Sequence, residues 1–292
     1  MQRVLSTYLF VSQKLTPARL AEIARGGIPA IEIFAVRSHF DYRNPQAVRE
    51  LAEWFEEHDL RLHALHAPTS RDLAPARESG VPISISDTER VRRLDAVDEI
   101  KRALDVAERI PFRFLVQHLS GGREPIDPRM LDAAFNSLEH LIVFAKQRGV
   151  TIALENTPGE LTSPSSLRHF IEDTRLHDLR LCFDTGHAHL EEGIERSFET
   201  MRERVVTTHV HDNRGDKDEH LFPYEGTIDW NATLVALRSA PEELPIVLEL
   251  KEDPAHTKPI EQAAAVFEKL EQALAACREP TSTRKASDAA KA

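Results

Sequence analysis

Thr151-Ile-Ala-Leu-Glu155-Asn156 leads, through a helical stretch opened by Ser163-Pro164, into Leu179-Arg-Leu-Cys-Phe-Asp184-Thr-Gly-His187. Two short apolar runs, each ending in a carboxylate, flank one helix. Serine is a good N-cap and proline a good first helical residue. Strands that are apolar on both faces and joined by a helix must lie parallel, because only a long crossover returns the chain in the same direction. The rest of the chain repeats this rhythm. Further strands are expected at Val4–Phe10, Ala30–Ala35, Arg61–Ala67, Phe112–Leu119, Val205–Asp212 and Pro245–Lys251. Helices are expected at Thr16–Arg25, Pro45–His58, Thr88–Arg109, Pro128–Gln147, Ile194–Glu203, Asp229–Ser239 and Ile260–Ala276. Eight strand–helix units in strict alternation predict a single (β/α)8 TIM barrel of class α/β. A doubly wound open sheet loses its main support, since Val11-Ser12-Gln13-Lys14 after the first strand holds no glycine.

The 292 residues suit one barrel domain over 1–277, followed by a disordered tail over 278–292 that is small, polar and poor in apolar residues. The net charge of −11 argues against broad binding to nucleic-acid backbones, which rests on lysine and arginine. Arg71, Arg123, Arg214 and Lys217 are scattered rather than clustered. Two cysteines, Cys182 and Cys277, are too few for a disulfide framework. No apolar run is long enough to span a membrane, and the N-terminus lacks a signal-peptide pattern, so a cytoplasmic location is expected. A homo-oligomer is compatible with the chain, but nothing in its text specifies one.

Six consecutive strands end in metal-ligand residue types: His66, His118, Glu155, Asp184 with His187, His209 with His211, and Glu249. In a parallel barrel these ends open on one face. Side chains two apart along a strand share a side, which groups Thr207, His209 and His211, and also Val247, Glu249 and Lys251. Glu32, inside Ala30-Ile-Glu-Ile-Phe-Ala35, could reach the pocket floor, whereas His63 is off-parity with His66 and reads as packed or exposed. Glu155, Asp184, His209 and Glu249 form the tightest group. Three carboxylates and an imidazole suit six-coordinate Mn2+, Mg2+ or Co2+ better than a closed zinc site, and the carboxylates would repel one another without a cation. Asp218-x-His220 is compact enough to grip an ion together with His187.

The motifs Leu154–Gly159 (LENTPG), Cys182–His189 (CFDTGHAH), His209–His220 (HVHDNRGDKDEH), Glu225–Trp230 (EGTIDW) and Val247–Lys251 (VLELK) make the chain resemble the xylose isomerase-like TIM barrels. That superfamily includes sugar isomerases, 3-epimerases, inosose dehydratase and endonuclease IV. The resemblance implies a shared metal site at Glu155, Asp184, His209 and Glu249. It also implies additional ligands at His66, His118, His187, Asp218 and His220, with Zn2+ if a multinuclear cluster forms. Where the nuclease carries cysteine between threonine and histidine, this chain has Gly186. Three activities stay open. The first is a metal-dependent sugar or sugar-phosphate isomerase or epimerase, with a dehydratase as a near variant. Glu155 and Glu249 would move a proton, the ion would stabilise the enediolate, and His187, His211, Arg214 and Lys251 would hold the small carbohydrate. The second is a zinc phosphodiesterase of the endonuclease IV kind acting on abasic DNA. The third is a barrel whose metal serves the fold without turnover.

Overall fold

In the computed structural model, which describes residues 1–70, 82–120 and 127–276, eight parallel strands form the barrel wall. They are β1 Gln2–Ser6, β2 Ala30–Phe34, β3 Arg61–His66, β4 Phe114–Gln117, β5 Thr151–Glu155, β6 Arg180–Asp184, β7 Val205–His209 and β8 Pro245–Leu248. From β1 to β7 each pairs with its sequence neighbour, and β1 also pairs with β8. A parallel bridge between Val210 and Leu248 closes the ring, with Val210 N donating to Val247 O at 2.8 Å. This is a single (β/α)8 barrel. The tail over 278–292, Cys277, Arg71, Arg123 and the glycine pair at 121–122 lie outside the described residues.

The surrounding helices are α1 Pro17–Arg25, α2 Pro45–Glu57, α3 Arg90–Leu104, α4 Pro128–Lys146, α5 Pro164–Thr174, α6 Thr185–Leu190, α7 Ile194–Met201, α8 Trp230–Arg238 and α9 Pro259–Ala276. Most begin on a side-chain cap: Thr16, Asn44, Asp127, Ser163 and Asp229 each accept from a backbone N–H of the first turn. Apolar residues of the helices and the outward strand positions share one large core, including Leu20, Ile23, Leu138, Ile171, Phe198 and Phe267. Two small clusters are separate from it: Val4, Ala30 and Val247, and Val116, Ala153 and Cys182. These are inward positions of β1, β2 and β8 and of β4, β5 and β6, filling the barrel with small side chains.

That inner layer aims the site. Two residues beyond Ala30, Ala153, Cys182, Thr207 and Val247 stand Glu32, Glu155, Asp184, His209 and Glu249, and the strand period of two turns each into the barrel mouth. All five are buried.

Two expectations about elements are corrected, and one element is added. The run Val4–Phe10 is not all strand: Thr7–Phe10 is a 3-10 turn started by Ser6. Its buried Leu9 and Phe10 imitate a strand pattern because they face the core. Thr7 Oγ1 holds this turn to the second strand by accepting from Phe34 N at 3.0 Å. The segment after Asp184 is a short helix, α6, which the strand–helix alternation does not reveal. Asp184 starts it by accepting from His187 N through Oδ1 at 2.7 Å. The final strand ends at Leu248 rather than Lys251, so alternation stops short of Lys251.

Candidate metal centre

One atom of each of Glu155, Asp184, His209 and Glu249 lies within 4.8 Å of the other three. His209 Nδ1 is 3.2 Å from Glu155 Oε1, 3.3 Å from Glu249 Oε2 and 4.0 Å from Asp184 Oδ2. Yet His209 Nδ1 and Glu155 Oε1 are buried and make no hydrogen bond. Unpaired polar atoms are costly in a protein interior. Three carboxylates and one imidazole converging there, with Glu155 Oε1 and His209 Nδ1 left unsatisfied by the protein, are a donor set that fits a divalent cation.

The imidazoles are oriented for that role. His209 Nε2 lies 3.1 and 3.2 Å from the two oxygens of Glu32, which leaves Nδ1 as the ligand atom. Three other rings are turned the opposite way by backbone carbonyls at Nδ1: His66 by Ala67 O at 2.8 Å, His187 by Asn156 O at 2.9 Å and His220 by Glu249 O at 2.9 Å. Each then presents Nε2 to the pocket. A partner on the far nitrogen that selects the tautomer is the usual support for a metal-binding histidine. Glu32 therefore positions His209. Glu32→Gln is expected to weaken binding of the first ion about 10- to 100-fold while the barrel stays folded. Manganese titration by calorimetry, beside a circular dichroism spectrum, checks this; unchanged affinity would remove Glu32 from the site.

Two further groupings flank the first. His66 Nε2 and His118 Nε2 lie 3.4 and 3.0 Å from Glu155 Oε2, and His66 forms a common ligand set with Glu155 and His209. His118 reaches Glu155 but does not join that set. On the other side His187, His211, Asp218 and His220 converge within the same 4.8 Å limit. His187 Nε2 and His220 Nε2 lie 3.2 and 3.1 Å from Asp218 Oδ2. His220 has φ of 50°, a left-handed conformation that costs a histidine energy and that lets Asp218 and His220 face one point.

The electrostatics match this crowding. Burial pushes the Glu249 carboxyl up to about 7, against the pull of the His209 charge. Burial would raise Glu155 too, but the charges of His209 and His118 hold it well below the usual carboxylate range. Burial disfavours a charged His209, and the carboxylates of Glu249, Glu32 and Glu155 override it, raising this histidine well above its ordinary value. The pocket demands positive charge, which a bound cation supplies in place of protons.

A cavity of about 300 Å³ opens over these groups. Tyr8, Phe34, Pro68, Pro82 and Ile83 supply its apolar lining, beside the polar His118, His187, Asp218 and Glu249. Phe34 stacks on His66 with ring centroids 4.4 Å apart. Tyr8 and Phe34 carry no sequence signal for this role, because Tyr8 reads as mid-strand and Phe34 as core. A hollow of about 470 Å³ lies at the opposite end of the barrel, beside Met1, Leu244 and Ile246, away from every candidate ligand.

Three substrate-binding expectations are corrected: His211 is fully buried, with Nε2 3.0 Å from Asp184 Oδ2, and does not line the cavity. Arg214 is exposed and turned to Glu219, whose Oε1 lies 2.5 Å from its Nη1, and it does not line the cavity. Lys251 is also exposed and outside the cavity lining, because β8 has ended and the chain has turned. Its backbone N donates to His220 O at 3.0 Å. His63 is buried against Phe114, with Nε2 3.2 Å from Thr207 Oγ1, as the packed alternative expected.

A family model for the xylose isomerase-like TIM barrel matches residues 20–271. The chain belongs to the xylose isomerase-like TIM barrel family. The uncharacterized protein MJ1311 of Methanocaldococcus jannaschii is 30% identical over 243 residues, covering 80% of this chain and 78% of that protein. Two solved structures share this fold. A D-tagatose 3-epimerase-like protein superposes with a TM-score of 0.78 at 22% identity, over 95% of this chain and 99% of that one. The IolI protein with a bound zinc atom superposes with a TM-score of 0.75 at 18% identity, over 94% and 99%. At such identities they speak for the xylose isomerase-like fold. Among the described residues of this family member, no helix is long and apolar enough to cross a membrane.

Proposed function

We propose that the protein is a divalent metal-dependent sugar epimerase or isomerase that moves a proton at the carbon beside a carbonyl. The observation that carries this reading is the placement of Glu155 and Glu249. They come from opposite parts of the ring, lie 3.2 and 3.3 Å from the same His209 nitrogen, and line one cavity of small-molecule size. Glu155, Asp184, His209 and Glu249 would hold the ion, which when bound neutralises the carboxylates and polarises the substrate carbonyl. One glutamate takes the proton and the other returns one, the two-carboxylate arrangement that inversion at carbon requires. Tyr8 and Phe34 cover the apolar face of the sugar and exclude water. His187 and His118 hold hydroxyl oxygens. The fold neighbour described as D-tagatose 3-epimerase-like supports the substrate class, and the zinc-bearing IolI supports a metal.

The phosphodiesterase reading draws on the same histidines, with His66, His118, His187, Asp218 and His220 all brought to the mouth. Against it, the described lining of the cavity contains no arginine or lysine to neutralise a nucleic-acid backbone. The deciding experiment incubates manganese-loaded protein with a panel of ketoses in deuterium oxide and reads deuterium incorporation by NMR. Uptake at carbon 3 or carbon 1 supports the proposal. No uptake across the panel, together with cleavage of an abasic duplex in zinc, overturns it.

A further inference from the structure

We propose that His39 is a positioning residue that, through Thr7, holds the Tyr8–Phe34 lining of the cavity at the spacing a sugar meets. His39 follows β2, is buried, and belongs to none of the candidate ligand groups. Its Nδ1 lies against Gln13 O, and its Nε2 stands 3.0 Å from Thr7 Oγ1. A carbonyl oxygen can only accept, so Nδ1 carries the proton and Nε2 is bare. The Thr7 hydroxyl therefore donates to Nε2, and its lone pair accepts from Phe34 N at 3.0 Å. One direction runs along the whole series of bonds. Burial lowers the pKa of His39, which keeps the ring neutral and that direction fixed.

These bonds join segments that follow β1, β2 and β8. Gln13 lies beyond the 3-10 turn after β1, and its side chain donates from Nε2 to Glu252 Oε1 at 2.8 Å, past the end of β8. Leu15 N donates to His39 O at 2.8 Å. Thr7 immediately precedes Tyr8, and Phe34 ends β2. Both lining rings thus hang on one threonine hydroxyl. Their centroids are 5.0 Å apart, and Tyr8 stands 5.0 Å from His220 as Phe34 stands 4.4 Å from His66. A phenylalanine at position 39 would fill the same space. The nitrogens matter because a hydroxyl alone rotates, and only a bare Nε2 keeps its lone pair on Phe34 N. The effect on the sugar rests on the epimerase reading of the cavity; the setting of the two rings does not.

The test uses full-length protein. NMR with magnesium present, on tyrosine- and phenylalanine-labelled samples, reads amide exchange at Phe34 and the ring-to-ring nuclear Overhauser effect between Tyr8 and Phe34. Kinetics with manganese, on the panel ketose that takes up deuterium fastest, read KM and kcat. His39→Phe and Thr7→Val keep the volume but remove the nitrogens or the hydroxyl. Each is expected to speed Phe34 exchange about tenfold or more, weaken the ring-to-ring effect, and raise KM about tenfold with kcat within about threefold. Thr7→Ser, which keeps the hydroxyl, is expected to bring exchange and KM back to within about threefold of wild type. Unchanged Phe34 exchange and ring contact in His39→Phe and Thr7→Val overturn the proposal. So does a lower kcat at unchanged KM, which leaves His39 a structural residue. Absence of turnover in wild type removes the epimerase reading alone, and exchange and ring contact then decide whether His39 sets the lining.

Discussion

On the proposed reading, Glu155→Gln is expected to lower substrate hydrogen exchange by about 10³-fold or more and to empty the first metal position. Among the described residues no other carboxylate carries as many imidazole contacts. Its Oε1 lies 3.2 Å from His209 Nδ1 and 3.3 Å from His187 Nδ1, and its Oε2 lies 3.0 Å from His118 and 3.4 Å from His66. Glutamine keeps the volume but removes the charge, and one of its two terminal atoms becomes an amide NH2, which is a donor and cannot bind a cation. The loss should therefore appear in ion content as well as in turnover, and no excess of manganese should restore full activity. Glu249→Gln removes one proton-transfer group but leaves Glu155 to hold the histidines, so it should retain more of the ion than Glu155→Gln does. Deuterium exchange rates and elemental analysis on both variants make the comparison. Turnover within tenfold of wild type for Glu155→Gln would remove this residue from the chemistry.

Asp212→Ala is expected to destabilise the protein by roughly 3–5 kcal/mol and to loosen the loop that brings Asp218 and His220 to the mouth. Asp212 is fully buried and does not point at the metal groups. Instead Oδ1 accepts from Asn213 N at 2.9 Å and Ile228 N at 3.1 Å, while Oδ2 accepts from Tyr224 N at 3.0 Å and Trp230 Nε1 at 2.9 Å. Its backbone pairs with Leu221 in both directions. Truncation would strand four donors in the interior. Gly226 belongs to the same clamp, since a Cβ there would stand 2.2 Å from Asp212 Oδ1 and 2.3 Å from Asn213 O. Urea unfolding reads the stability loss, and hydrogen exchange at Tyr224 and Ile228 reads the loop. A loss under about 1 kcal/mol with protection intact would show that the loop is held by something else. The motif Glu225–Trp230 thereby acquires a physical meaning: Gly226 makes room, Ile228 and Trp230 donate to Asp212, and Asp229 caps α8.

Much of the site follows from local rules. Apolar runs that end in Glu155, Asp184, His209 and Glu249 sit on parallel strands, and the pleat alone carries each side chain inward. The same rule places Glu32 beneath His209. It fails at Lys251 because the pairing of β8 stops at Leu248; Arg214, on a loop beyond its reach, pairs with Glu219 instead. The helix at Thr185–Leu190 escapes because it is one and a half turns long and its cap, Asp184, also reads as a strand end.

Strand alternation and side-chain parity, being properties of neighbouring residues, are written into the chain and suffice for the barrel and for bringing together the four central candidate ligands. Which nitrogen each histidine presents, why Gly226 bears no side chain, and how His211 comes to lie between two carboxylate groups depend on contacts between loops far apart along the chain. Those contacts exist only after eight strands have closed the ring and brought their ends within a few ångströms of one another.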